Sequence, residues 1–543
     1  MSRGTDTIAI ERGFLCGISL NLKKRKETVM KIRRVLAFAL AMLMVFALLG
    51  FVGCGSEEKK TQAVSGEENT AQEADPNSVY DAEVKDLKGH TFIFLSRSTS
   101  YDHLDTNEVY AEELTGDKVN DAVYKRNTLL QEKYNCEIFE ERQTDVVAAA
   151  KDALVAGDYA YDYIYAGVSQ MRSFAASGLL ADFNKLKNLN LDKTWWDQNM
   201  RSGLAIRGKL FYMNGDAGTC DDRSASVVYY NRDAIKVFNQ EDPMDLVEQG
   251  TWTIQKMYEI GEACVQDKNG DGAMTVGTDV FAQIFPASQN WYFVAACNQR
   301  VSSLADNGDL VIEPTLSKEL LDVWAELKPL LTTPHREVTD SGYRFRRGLG
   351  VFYTMNLGFL LHTEDADSDF GVIPLPKRNA EQKEYWTTIQ ASACNAYGIT
   401  LVSNQNEEAA AAGFTGDNAG VEMAAYFLEA YAYHSVDTLT PAFFNDVLKH
   451  QMVRDTRSAE MIEFAVKNRV YDPVMMYSFG GMGKIFDKAG SNGSGGTGNS
   501  GDTAIIGSDV NYDTLNSLYQ SLVTPARKAL KNYLEYLEQE DVG

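Results

Sequence analysis

An alternation of pattern constrains this chain more than any single motif. Thr91–Leu95 (TFIFL) is an apolar run of β-formers, and Lys118–Tyr134 reads as an amphipathic helix. Cys136–Phe139 is a second strand, and Val146–Ala156 is a helix closed by Gly157-Asp158. Tyr161–Tyr165 (YDYIY) is a third strand, followed by the turn Ala166-Gly167 and a helix to Ala176. Strands alternating with 3.6-period segments specify parallel βαβ units and hence an α/β fold. In such sheets ligands lie outside the carboxyl ends of the strands. That rule places Ser96, Arg97, Gly167 and Ser169 near a cleft, although turn and N-cap chemistry accounts for the same four residues.

The mixture continues downstream. Ser226–Tyr230, Gly371–Pro374 and Ala396–Leu401 read as strands, and Ile254–Val265 and Ser317–Leu331 as helices. After about residue 405 helices dominate: Glu407–Ala412, Gly420–His434, Pro441–Val453, Ser458–Val466 and Tyr512–Gln539. There is no internal repeat. At 543 residues the chain has room for two or three domains, or two large lobes, at roughly 100–200 residues per domain. Residues 490–502 (GSNGSGGTGNSGD) read as a surface loop rather than a linker.

The N-terminal region carries an address. Lys31, Arg33 and Arg34 precede the almost wholly apolar stretch Val35–Val52, and then come Gly53, Cys54, Gly55 and Ser56. A basic start, an apolar core and a small residue before the cut make a secretory signal peptide. The stretch is also just long enough to span a membrane. Cys54 at the cut resembles the bacterial lipobox, in which that cysteine is acylated and becomes the mature N-terminus; Phe51 stands where Leu is usual. Both readings put residues 55–543 outside the cytoplasmic membrane. Residues 1–29 do not fit a signal peptide, so Met30 is the expected true start. Residues 54–87 are expected to form a lipid-anchored flexible tether, because 55–80 lack apolar periodicity.

Charge narrows the partners. The chain carries −24, and removing 1–53 with its nine Lys/Arg and three Asp/Glu takes this to −30. Such a surface repels phosphate backbones, so no nucleic-acid partner is expected. With six His and no Cys-x-x-Cys, neither a zinc site nor another cofactor is expected. Asp267–Gly272 opens like an EF-hand loop, but the twelfth position is Thr278 rather than Glu. An Asp/Asn/Gly turn needs no ion, and no metal is assigned there. Cys16 is removed and Cys54 is acylated in this reading; the five other cysteines, at unrelated spacings, are expected as buried free thiols. There is no nucleophile elbow, H-E-x-x-H or P-loop, and no enzymatic activity is assigned.

Several segments together resemble the extracellular solute-binding proteins of bacterial carbohydrate ABC transporters. They are Tyr229-Tyr230-Asn231-Arg232-Asp233, Gly250-Thr251-Trp252-Thr253 and Asp267–Gly272, in that order. Ser177-Gly178-Leu179-Leu180-Ala181-Asp182, Asp369–Pro376, Arg454-Asp455 and Tyr471-Asp472 extend the likeness over residues 88–540. Arg232 stands where the family usually has Lys. The resemblance implies a two-lobed, type II periplasmic-binding-protein-like fold, with mixed sheets flanked by helices and hinge-linked lobes. It implies crossings near 217–226, 389–395 and 435–445. Lobe 1 would comprise 88–218 plus 394–440, and lobe 2 would comprise 219–393 plus 441–543. It implies a monomer that captures a mono- or oligosaccharide and hands it to ABC permease subunits. A peptide or another small solute, for uptake or sensing, would use the same cleft; a secreted glycoside hydrolase is the third reading.

The residue types suit a sugar. Rings stack on the apolar face of a pyranose, while Asp, Asn, Arg and Gln bond its hydroxyl rim. Trp195 and Trp196 are adjacent indoles in polar surroundings, so one of the pair is expected to face the cleft. Trp291 and Trp386 are similar candidates, whereas Trp252 and Trp324 are assigned to packing. Asp216, Asp221 and Asp222 flank Cys220 in the first crossing, where Asp216 and Asp222 are expected to bind hydroxyls. Tyr353, with Asn356 after it, lies in a region where the family places a helix N-terminus at the cleft. The expected ligand-binding set is therefore Arg97, Ser169, Trp195, Trp196, Asp216, Asp222, Trp291, Tyr353 and Trp386.

Overall fold

A computed structural model of the chain describes residues 75–98, 108–155, 160–401, 406–444, 456–489, 505–507 and 514–539. The signal region with Cys54, Gly157-Asp158, Arg454-Asp455, most of Pro441–Val453 and the loop 490–502 lie outside the described residues.

The first sheet is built as the alternation requires. Strand β1 (His90–Arg97) leads to helix α1 (Lys118–Tyr134) and strand β2 (Cys136–Gln143). Helix α2 (Val146–Val155) then leads to strand β3 (Tyr163–Gly167) and helix α3 (Val168–Ala175). Both ends of α1 are written in the sequence: Asp117 caps it by accepting from the Asn120 amide, and Asn135 closes it at φ 49°. β1 pairs in parallel with β2 and with β3.

The chain then leaves through a short helix, α4 (Cys220–Arg223), for a second sheet. Its strands are β4 (Ser226–Asn231), β5 (Phe281–Ile284), β6 (Arg336–Val338), β7 (Gly350–Asn356) and β8 (Phe370–Pro374). A two-residue strand, β9 (Thr387–Thr388), precedes β10 (Asn395–Ile399), which returns to the first sheet antiparallel to β3. Helix α5 (Ala419–Val436) lies over that sheet: the Tyr163 hydroxyl donates to the Ala424 carbonyl, and Phe92 stacks on Phe427 at 4.0 Å. Helix α6 (Thr456–Lys467) packs on β8 through Ile462 and Ala465. Strand β11 (Arg469–Val470) pairs in parallel with β9, and β12 (Ile505–Ile506) closes the second sheet. The strand orders are β10-β3-β1-β2 and β8-β4-β7-β5-β6-β12, so both sheets are mixed and the fold is α/β.

The described residues form one compact unit. One apolar core runs through both sheets, from Phe94 and Tyr163 to Tyr230, Phe352 and Trp324. The last helix, α7 (Leu515–Gln539), joins both sides. Lys209, beside the first sheet, donates to the Leu537 carbonyl, and the Tyr519 hydroxyl donates to the Glu313 carbonyl on the second-sheet side. The expectation that 441–543 sits with the second sheet alone is corrected accordingly: Tyr477 packs beside Tyr212 and accepts from Arg172 on α3 through its carbonyl.

The tether expectation also needs correction over its described part. From Asp75 the chain is a packed strap. Tyr80 stacks on Tyr433 at 4.6 Å, the Lys193 ammonium donates to the Val79 carbonyl, and Leu87 is buried. The Tyr426 hydroxyl donates to the Glu83 carbonyl and accepts from the Lys85 amide. Sparse apolar residues hid this, because one ring and one leucine suffice when neighbours bond the backbone.

Candidate functional site

Strand ends from both sheets converge on two of the segments that pass between them. Arg97 is the last residue of β1, and its guanidinium donates to the Ser392 carbonyl at 2.6 Å. Gly167 ends β3 where a Cβ would stand 3.1 Å from that guanidinium and 3.3 Å from the Ser392 oxygen, so glycine permits the approach. The Ser169 amide donates to Ala391 at 3.1 Å and the Val168 amide to Cys394 at 2.8 Å. From the second sheet, Asn356 at the end of β7 donates its side-chain amide to Gln390 at 2.7 Å. The Gln390 amide in turn donates to the Ser224 carbonyl, just past α4.

Beside this junction lies a carboxylate–guanidinium cluster. Arg469, which opens β11, bonds Asp222 and stands 3.2 Å from a carboxylate oxygen of both Asp197 and Asp221. The Tyr471 hydroxyl donates to Asp197 at 2.6 Å, and Asp197 also caps the helix Gln198–Leu204. Next to it the buried Glu108 accepts from the Tyr165 hydroxyl (2.6 Å), the Thr219 amide (3.0 Å) and the Thr219 hydroxyl, with Arg223 at 3.0 Å. Asp216 accepts from the Thr440 hydroxyl at 2.7 Å. A backbone bridge, Trp196 to Gly215, brings the 195–197 segment alongside 214–216.

Five carboxylates gather around two guanidinium groups here, and burial shifts the acidity of Asp216, Asp221 and Asp222. Burial pushes Asp216 up to about 6, against the Thr440 hydrogen bond. Burial also raises Asp221 and Asp222, against the pull of Arg469. A carboxylate leaving water resists ionisation unless a cation compensates it, and one arginine serves three of these groups.

The nine expected ligand-binding residues divide by position. Arg97, Ser169, Asp216 and Asp222 lie in or beside the junction, and each keeps some exposed surface. Trp386 is half-buried immediately before β9. The other four are corrected, because the structure buries them. Trp195 packs edge-on against Tyr433 at 5.3 Å, and the Trp196 indole N–H donates to Glu429 at 3.0 Å. Adjacent side chains do diverge, but α5 presents Glu429 and Tyr433 one turn apart and the strap covers the far side, so neither indole reaches solvent. Trp291 stacks on Phe486 at 5.5 Å. Tyr353 is buried among Tyr229, Phe345 and Phe359, and its hydroxyl donates to the Asp340 carbonyl at 3.0 Å. Trp252 and Trp324, assigned to packing, are buried.

Glu108, Asp197, Arg223, Gln390 and Arg469 were not anticipated as members of the site. Arg469 adjoins the Tyr471-Asp472 pair of the resemblance, which was the available signal. Nothing local distinguishes Glu108 or Gln390. In the Asp267 turn, Asp267 accepts from the Gly270 (2.7 Å) and Gly272 (2.8 Å) amides, so its carboxylate closes the turn. Among the described residues no cluster of His, Cys, Asp and Glu is arranged to hold a metal, and the five described cysteines are free and buried. No helix among them is long and apolar enough to cross a membrane.

No family model matches the chain, and no curated protein matches it. Among solved structures, the chain is similar to the ABC substrate-binding protein Lmo0181 from Listeria monocytogenes in complex with cycloalternan. The likeness has 14% identity and a TM-score of 0.45, covering 83% of this chain and 99% of that one.

Proposed function

We propose that this protein is an extracytoplasmic solute-binding lipoprotein that captures a carbohydrate between two lobes and delivers it to an ABC permease without altering it. One observation carries the reading. The carboxyl ends of β1, β3 and β7, strands of two different sheets, meet at the crossing segments 216–224 and 389–394, beside a cluster of Asp, Asn, Gln and Arg side chains. Ligands sit at such strand ends in α/β sheets, and these side chains supply the donors and acceptors a hydroxyl rim requires. In this reading the first sheet with α5 is lobe 1, the second sheet with α6 is lobe 2, and 473–539 braces both. Cys54 carries the lipid, and the strap from Asp75 ties lobe 1 to the anchor. Solute bridging the crossings favours the closed state.

The test uses the purified full-length protein and a panel of mono- and oligosaccharides. At least one sugar is expected to raise the unfolding temperature in a concentration-dependent way while mass spectrometry recovers it intact. Turnover of that sugar would establish a hydrolase, and stabilisation by peptides alone would replace the solute class.

A further inference from the structure

The second inference rests on the reading above and concerns which carbohydrates the junction admits. Its open valences are of two kinds. Asp221 Oδ1, Asn214 Oδ1 and Asn395 Oδ1 have no donor, although all three residues are buried. In the same cluster Arg469 Nε and Arg223 Nε have no acceptor. A hydroxyl both donates and accepts and so answers both kinds, directly or through a relayed water, whereas a carboxylate can only accept.

Charge points the same way. The cluster holds Glu108, Asp197, Asp216, Asp221 and Asp222. Arg469 is enclosed by three of them and Arg223 is held by Glu108. Two further arginines lie close by. Arg126 donates to the Glu108 and Val109 carbonyls and to Tyr431, while Arg97 donates to the Ser392 carbonyl. The carboxylates that keep exposed surface are Asp216 and Asp222, so an approaching acid meets like charge before it reaches a guanidinium.

We infer that this junction selects by charge, admitting a neutral polyhydroxylated solute and rejecting the carboxylated counterpart of the same sugar. Asp222 is the main determinant, because it combines an exposed face with a fixed bond to Arg469.

The experiment sets neutral 1,4-linked hexose oligosaccharides of two to six units against the matching hexuronate oligomers. Binding to the full-length protein is read by titration calorimetry. At least one neutral member is expected to bind ten-fold or more tighter than its uronate. Asp222→Asn is expected to narrow that ratio at least three-fold, and the unfolding temperature of the unliganded variant reports its fold. An Asp216→Asn variant gives the same reading should Asp222→Asn not fold. A uronate that binds as tightly as its neutral partner overturns the charge selection while leaving solute capture standing. Failure of every neutral and acidic oligomer to bind, with none of the wider panel of mono- and oligosaccharides stabilising the protein either, overturns the carbohydrate reading itself, and the selection with it.

Discussion

Single side chains decide the polarity of this site. Arg469 serves Asp197, Asp221 and Asp222, so removing it leaves buried carboxylates uncompensated. Arg469→Gln is expected to cost about 3–5 kcal/mol at pH 7.5 in urea unfolding. The loss should shrink as pH falls, because burial holds Asp221 and Asp222 above the usual carboxylate range and so favours their neutral forms, and Asp221→Asn should recover part of it; a loss below about 1 kcal/mol at pH 7.5 would refute the hub. Glu429 titrates elsewhere. Burial pushes its carboxyl up to about 7, against the Trp196 and Asn190 hydrogen bonds. A folded-state pKa above the unfolded value gives stability that is complete below about pH 4 and lost as pH rises through about 7. Glu429→Gln keeps an acceptor for the Trp196 indole and should remove that slope, worth on the order of 1–3 kcal/mol between pH 5 and 8. At this scale the sequence was legible where position follows from periodicity. Arg97 and Ser169 were locatable because strand ends are. The aromatic pair 195–196 was not, since its burial depends on α5, more than 220 residues away in the chain.

Elements were more legible than residues, for a physical reason. The α1 span and its Asp cap follow from local pattern alone, and the structure reproduces Lys118–Tyr134 to the residue. β7 escaped notice because buried strands flanked on both sides lose their alternation and read as a plain apolar run. β9 and β11 escaped because two residues make no pattern; only their partner defines them. Two variants test how such elements carry the site. Gly215 sits at φ 148°, where a Cβ would come 2.2 Å from the Trp195 carbonyl oxygen. Gly215→Ala should therefore displace the 195–197 segment, cost at least about 2 kcal/mol, and alter the near-ultraviolet signal of the paired indoles. The strap depends on one ring in the same way. Tyr80→Ala is expected to lose about 1–2 kcal/mol and to expose Lys85 and Lys88 to trypsin, while unchanged cleavage would mean that the backbone bonds hold the strap unaided.

On the scale of the whole molecule the question is motion. The core is continuous across the two sheets and α7 braces them, so the described residues form a closed body. A solute that binds between sheets must enter before that body closes, which requires a second, more open state. The chain passes between the sheets through 216–224 and 387–394, again after α5, and once more at 469–472, where β9 and β11 pair over only two residues. The polar hub sits at these same passages, so an opening confined to them would expose carboxylates, a change that water compensates, whereas parting the shared apolar core would cost more. Small-angle scattering should accordingly record a larger radius of gyration without sugar than with saturating neutral oligosaccharide. Arg469→Gln should shift the unliganded protein further toward the expanded form, because the bonds it loses are those that tie the passages together. Equal radii with and without a bound sugar, in both proteins, would mean that the molecule admits its solute without parting, and the two-lobed mechanism would have to give way to a preformed pocket.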